Sequence, residues 1–171
     1  MSEEATEIKS SSAGGLRMHK AERLRHKRLV DRLFREGKSF YSYPLRVVYL
    51  LDSPEGMLSS FKSRGKSDDR EPCDKLRQMR IDSLQMLVNV PKRKMRHAVD
   101  RVWLRRRIRE AWRLSRCGLK SQLSQTGKVL SVAIVYVGTE KKPYSTIAQR
   151  MSHILSRLET SLAESEKGGD E

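Results

Sequence analysis

Apolar positions along the chain fall into six stretches whose spacing switches between helical and extended periods. From Lys20 to Glu36, the residues Leu24, Leu29, Val30, Leu33 and Phe34 recur at mostly helical spacing, and Gly37 supplies a stop. The pattern predicts an amphipathic helix with a basic outer side. Leu45 to Leu51 is apolar and β-branched enough for a strand. Leu84, Met86, Val88 and Val90 alternate with Gln85, Leu87 and Asn89, giving a second strand buried mainly on one face and ended by Pro91. A helix follows from Ala98 to Arg116. The stretch Val129 to Val137 is apolar on both faces, as a central strand requires. A last helix from Ser145 to Leu162 carries Ile147, Met151, Ile154, Leu155, Leu158 and Leu162 on one side.

Three helices and three strands without an internal repeat or proline-rich linker imply one α+β layer fold, with one layer of helices closed over one sheet. The chain of 171 residues suits a single domain. Residues 1–15 and 164–171 are polar and poor in large apolar groups, so both ends are expected to be disordered tails around a domain spanning 16–163. The segment 52–82 is rich in Ser, Lys, Asp and Gly and longer than an ordinary loop, which suggests a flexible hairpin extension.

Charge sharpens this picture. The chain has 36 Lys and Arg against 21 Asp and Glu, a formal charge of +15 and a pI near 10.2, so its surface should attract polyanions. The charge is also clustered. In the helix from Ala98, the residues Leu104, Ile108, Ala111 and Trp112 form one stripe, while Arg105, Arg106, Arg109, Arg113 and Arg116 form another, nearly opposite. Like charges at these spacings repel, and a merely solvated helix usually intersperses acids with bases. Arginine suits phosphate because its planar fork pairs bidentately with phosphate oxygens and stacks on bases. Lys92, Arg93, Lys94 and Arg96, just before the helix, would extend the same surface, and Arg101 falls in the first helical turns. Exposed N–H groups at the helix start also favour phosphate there.

These residues carry a resemblance. Ala98-Val99-x-Arg101 followed by Arg105-Arg106-x-x-Arg109-Glu110 resembles the signature helix of the bacterial ribonuclease P protein family, usually written Arg-Asn-x-x-Lys-Arg-x-x-Arg. Val88-x-Val90-x-Lys92-Arg93 is similar to the family's strand ending in a basic loop. Arg23-Leu24, Leu33-Phe34 and Gly37-x-Ser39 resemble its first helix and exit, and the likeness runs from about Arg23 to Leu158. Val102 stands where the family normally has Asn, so any hydrogen bond made by that Asn has no counterpart. Trp103 occupies a position that is often basic, and Val30 one that is commonly Phe.

The resemblance implies a ribosomal-protein-like two-layer sandwich with an unusual left-handed βαβ crossover, against the general right-handed preference. It implies a protein subunit that binds the catalytic ribonuclease P RNA and the 5′ leader of precursor tRNA, promoting endonucleolytic release of the mature tRNA 5′ end. Phe34, Arg46 and Tyr49 match the family's leader-binding cleft, where aromatic faces stack on unpaired bases with little sequence preference. Phe34 fits plain core packing equally well.

No catalytic group of the protein itself is expected. His19, His26, His97 and His153 are scattered, Asp68, Asp69, Glu71 and Asp74 cluster inside the long insertion, and no HExxH, GxSxG or Walker pattern occurs. Chemistry is therefore expected from the RNA, with Mg2+ held mainly by that RNA and none by the protein alone. Cys73 and Cys117 form no CxxC pattern, no apolar run approaches the roughly 20 residues of a membrane span, and the first 15 residues do not resemble a signal peptide. A cytoplasmic protein with no membrane and no required protein partner is the expectation. The alternatives are a ribosomal or ribosome-assembly RNA-binding protein, a nuclease acting without RNA, and a duplex-DNA reader. The last finds no helix-turn-helix or zipper pattern to support it.

Overall fold

The computed structural model describes residues 17–61, 76, 78–79 and 81–167. A 3-10 turn, Lys20–Glu22, opens the described chain. Helix α1 (Lys27–Glu36) then leads through Gly37 into β1 (Lys38–Ser42). A Cβ at Gly37 would lie 2.3 Å from the Leu33 carbonyl oxygen and 3.0 Å from that of Tyr49, so only glycine lets the chain turn this closely onto the sheet. The connection through Tyr43 and Pro44, joined by a cis peptide, returns the chain as β2 (Leu45–Asp52). Helix α2 (Pro54–Ser59), β3 (Leu84–Asn89), α3 (Ala98–Ser115), α4 (Cys117–Thr126), β4 (Val129–Tyr136) and α5 (Tyr144–Lys167) complete the order.

The sheet order is β1-β2-β4-β3. β1 pairs antiparallel with β2, and β2 antiparallel with β4, Val48 facing Ala133. β3 pairs parallel with β4, Val88 facing Ile134, and α3 and α4 form the crossover between them. β4 is central and all but Val135 of it is buried, in agreement with its two-sided apolar pattern.

Alternation along each strand sorts the core into two clusters. Leu45, Val47, Met86, Val88, Val132 and Ile134 face α3, α4 and α5, packing against Leu104, Ile108, Trp112, Leu119 and the inner row of α5. Val48, Val129 and Ala133 face the other way, against Leu29 and Leu33 of α1, Met57 of α2, Leu76 and Ile81. The principal helical layer thus covers one face, while α1 and α2 cover part of the other.

Several expectations change. The helix expected from Lys20 starts at Lys27 instead, because Arg23 pairs with Met86 as a parallel bridge and the Leu24 N–H donates to the Met86 carbonyl at 3.0 Å. This short pairing lays the chain along the outer edge of β3. β1 was not anticipated, since three of its five residues are Lys or Ser and only Phe40 enters the main core. α4 was also missed, because Leu119 and Leu123 are its only buried residues and the rest of it is polar or small. It ends at Gly127, whose φ of +64° is the left-handed conformation that glycine adopts at least cost.

β4 lies between β2 and β3 in the sheet, so the strands that flank residues 52–82 do not pair as a hairpin. The described start of that segment is ordered: the Ser53 hydroxyl caps α2 by accepting from the Gly56 N–H at 3.1 Å, and Arg32 of α1 meets Asp52 at 2.6 Å and donates to the Gly56 carbonyl at 2.7 Å. Asp68, Asp69, Glu71 and Asp74, like residues 1–15 of the expected tail, lie outside the described residues. At the other end α5 continues through Lys167, four residues into the stretch expected to be disordered. The Ser165 hydroxyl returns a hydrogen bond to the Leu162 carbonyl, and Lys128 Nζ donates to Ser165 at 3.0 Å, anchoring this last part of the helix.

Candidate nucleic-acid interface

α3 is fastened to the sheet by Leu104, Ile108, Ala111 and Trp112, each at most 1% exposed. A helix anchored on one side must turn its remaining positions outward. Arg106 and Arg109 are exposed and Arg105 half-buried, and among the described residues none of the three forms an ion pair. Burial, then the like charges of Arg23 and Arg105, push the Arg109 guanidinium below its ordinary pKa. Arg23 therefore belongs to the surface although its position in the chain is remote; the signal was its place in the basic run from Arg17 to Arg28.

Two arginines of the expected stripe serve differently. Arg116 is buried beside Glu22, 2.7 Å away, and donates further to the carbonyls of Arg113 at 2.9 Å and Arg17 at 3.0 Å. Lys120 joins the same group, reaching Glu22 at 2.7 Å and Asp82 at 2.9 Å. Arg116 is thus a structural tie between the α3–α4 junction and the N-terminal turn, not an outward contact. Its position at the very end of α3, where the chain turns into α4, rotates it away from the solvent. Arg113 keeps part of its surface but forms a two-pronged pair with Glu110, Nε at 2.9 Å and Nη2 at 2.6 Å. That pairing holds the Glu110 carboxyl below the usual carboxylate range.

The basic loop before α3 is built by its own backbone. The N–H groups of Lys94 and Met95 both donate to the Pro91 carbonyl, and the buried Met95 side chain pins the turn to the core. Lys92, Arg93 and Arg96 are left exposed and Lys94 half-buried. Arg101 Nη1 donates to the carbonyls of Met95 at 3.0 Å and Arg96 at 2.7 Å. It holds the loop against the first turns of the helix, so loop and arginine row form one continuous cationic surface.

Phe34, Arg46 and Tyr49 do not line one cleft. Tyr49 faces α5, its hydroxyl 3.2 Å from Ser161 Oγ and its ring edge-on to Phe40. Arg46, three positions earlier in β2, faces the opposite side of the sheet, its guanidinium 5.5 Å from the centre of the Tyr41 ring. Phe34 is 49% exposed on α1, so it is not core. An odd separation along a strand reverses the side. Tyr49 instead helps line a groove of about 640 Å³ between β1 and α5, with Lys38, Phe40, His153 and Arg157, whose guanidinium lies 4.4 Å from the Phe40 ring centre. Tyr41, 63% exposed beside Arg46, was missed because β1 itself was not read as a strand.

A sequence profile described as Ribonuclease P matches residues 18–159, which contain α3, the basic loop and both sides of the sheet. The chain belongs to the ribonuclease P protein family. Ribonuclease P protein components from two strains of Porphyromonas gingivalis are each 30% identical to it over 141 residues, covering 82% of this chain and 85% of theirs. The solved ribonuclease P protein of Staphylococcus aureus shares the fold, with a TM-score of 0.52 at 16% identity, covering 81% of this chain and 96% of that one. The α+β architecture with a small mixed sheet packed by helices is therefore that of the ribonuclease P proteins. Among the described residues, no helix is long and apolar enough to cross a membrane, and no three His, Cys, Asp or Glu side chains gather in a metal-binding group.

Proposed function

We propose that the chain is the protein subunit of a ribonuclease P holoenzyme, binding the catalytic RNA through the surface formed by Arg105, Arg106, Arg109, Arg23 and the Lys92 to Arg96 loop. Arginines that form no ion pair among the described residues, with Arg23, Arg105 and Arg109 repelling one another, on a rigidly anchored helix carry this reading. Phosphates neutralise them, release counterions from the RNA and give an affinity that falls with salt. The arginine face repels rather than holds divalent cations. Mg2+ accordingly sits on the RNA, which carries the hydrolysis of one phosphodiester, and the protein lowers the Mg2+ concentration needed by neutralising RNA charge.

The 5′ leader of precursor tRNA lies in the groove between β1 and α5. Lys38 and Arg157 there meet phosphates, and the half-buried Tyr49 ring offers stacking surface at its wall. Phe34 and Arg46, on other surfaces, are not part of that groove. Reconstitution tests the whole reading. Protein added to its cognate RNA should restore precursor cleavage at low Mg2+, and affinity for precursor should exceed that for mature tRNA by a margin that Arg157→Glu removes. Cleavage that is unchanged by the protein at low Mg2+ would refute it.

A further inference from the structure

Beside the arginine row, the N-terminal half of α3 carries an apolar shelf that no other part of the described protein covers. Val99 is 78% exposed and Val102 39%, an unfavourable arrangement for two valines one turn apart on a helix. Together with Ala98, Trp103, Arg106 and Arg107 they line an open depression of about 480 Å³. Its composition is predominantly apolar, yet its rim is cationic. The Arg107 guanidinium stacks 4.0 Å from the centre of the Trp103 ring, Lys141 Nζ lies 5.8 Å from it, and Arg106 belongs to the phosphate-facing row. Asp100, one turn before Trp103, is held by Lys141 at 2.8 Å. Arg107 Nε, in the wall of the depression, is buried and has no hydrogen-bond acceptor among the described residues.

An apolar floor, a stacked Arg–Trp wall and a positive rim match one chemistry: a flat, weakly polar ring attached to a phosphodiester. The geometry points to a base-binding subsite here, in which one unpaired nucleobase of the catalytic RNA leaves its stack, lies on Val99 and Val102 against the Arg107–Trp103 pair, and has its flanking phosphates held by Arg106 and Arg105. The inference rests on the proposed RNA-binding role of α3 and adds to it a preference for unpaired RNA. Where a polar side chain at position 102 would read an edge, valine offers a surface; recognition is by stacking and therefore tolerant of base identity. Arg107 gains an acceptor for its Nε when it shifts to meet a base carbonyl or ring nitrogen.

The test uses the full chain and two RNA hairpins of equal length, one fully paired and one with a single bulged 2-aminopurine. The bulged hairpin should bind about fivefold to tenfold more tightly, the order expected of one base–aromatic stack. Its 2-aminopurine emission should be quenched on binding, and so should the emission of Trp103, since Trp112 is fully buried. Trp103→Ala should equalise the two hairpins. Val99→Glu, which alters a side chain in solvent and leaves the core untouched, should do the same and guards against misfolding of the tryptophan variant. Equal affinity of wild-type protein for both hairpins, with salt-dependent binding retained, overturns the subsite and leaves the arginine surface intact. Loss of salt-dependent binding to either hairpin overturns the RNA-binding role and the subsite with it. Sedimentation of the free protein completes the experiment: a dimer abolished by Val99→Glu would show that a second copy covers the shelf, which also overturns the proposal.

Discussion

Replacing Arg105, Arg106 and Arg109 together by alanine removes three positive groups that have no ion-pair partner among the described residues. No hydrogen bond to the rest of the described protein is lost from the folded state, and the repulsion among Arg23, Arg105 and Arg109 is relieved. The thermal midpoint should therefore stay the same or rise slightly. RNA affinity responds differently. Each phosphate contact contributes about 0.9 to the slope of log K against log salt on a duplex and about 0.7 on a single strand, so three lost contacts reduce its magnitude by about 2 to 3. Fluorescence anisotropy with labelled cognate RNA, across monovalent salt at fixed Mg2+, measures this directly. The variant's affinity should lie far below that of wild type at low salt and converge with it as salt rises. Arg116→Ala is the internal control: it should leave the salt slope of the folded fraction unchanged, because Arg116 faces Glu22 and not the solvent. An unchanged slope in the triple variant, or a slope that falls equally in Arg116→Ala, would refute the assignment of this face to RNA.

Glu22→Gln should destabilise the fold by about 3–5 kcal/mol in urea unfolding, because it strands the buried Arg116 guanidinium, whereas Arg116→Ala should cost less, since Lys120 still pairs with Glu22, and so should the double change of Glu22 and Arg116 to methionine. A cost below that of an exposed pair would show that water reaches the site. Glu110→Gln removes the acid that engages Arg113 beside the surface proposed to bind RNA and should tighten RNA binding and steepen its salt dependence by up to about one contact; weaker binding would contradict this. Lys120 supplies a pH test. Burial draws its ammonium pKa down, but hydrogen bonds to Glu22 and Asp82 outweigh that and hold it above the ordinary 10.5. A raised folded pKa gives stability that is complete below the unfolded value and is lost as pH climbs through the folded one. The stability difference between wild type and Lys120→Met should therefore shrink above about 10.5, and a constant difference across that window would exclude the mechanism.

The chain's own pattern determined the parts whose physics is local. The two-sided apolar run of Val129 to Val137 required a central strand, and the spacing of Leu104, Ile108, Ala111 and Trp112 required a helix docked by one side. Arg105, Arg106 and Arg109 then had to point outward, because helical periodicity fixes which residues share a face. The basic loop and the membership of the family were legible from the same stretch. What tertiary structure decided depends on partners distant in sequence. Arg116 lies on the same helix as its neighbours, yet Glu22, ninety-four positions away, captures it. Arg23 joins the cationic surface only because its segment pairs with the outer edge of β3. Tyr49 and Arg46 part company because β2 carries helices on both faces, so each side of the strand meets a different environment. Periodicity assigns a residue to a side, but what waits on that side is settled by how strands and helices from the whole chain are assembled around it.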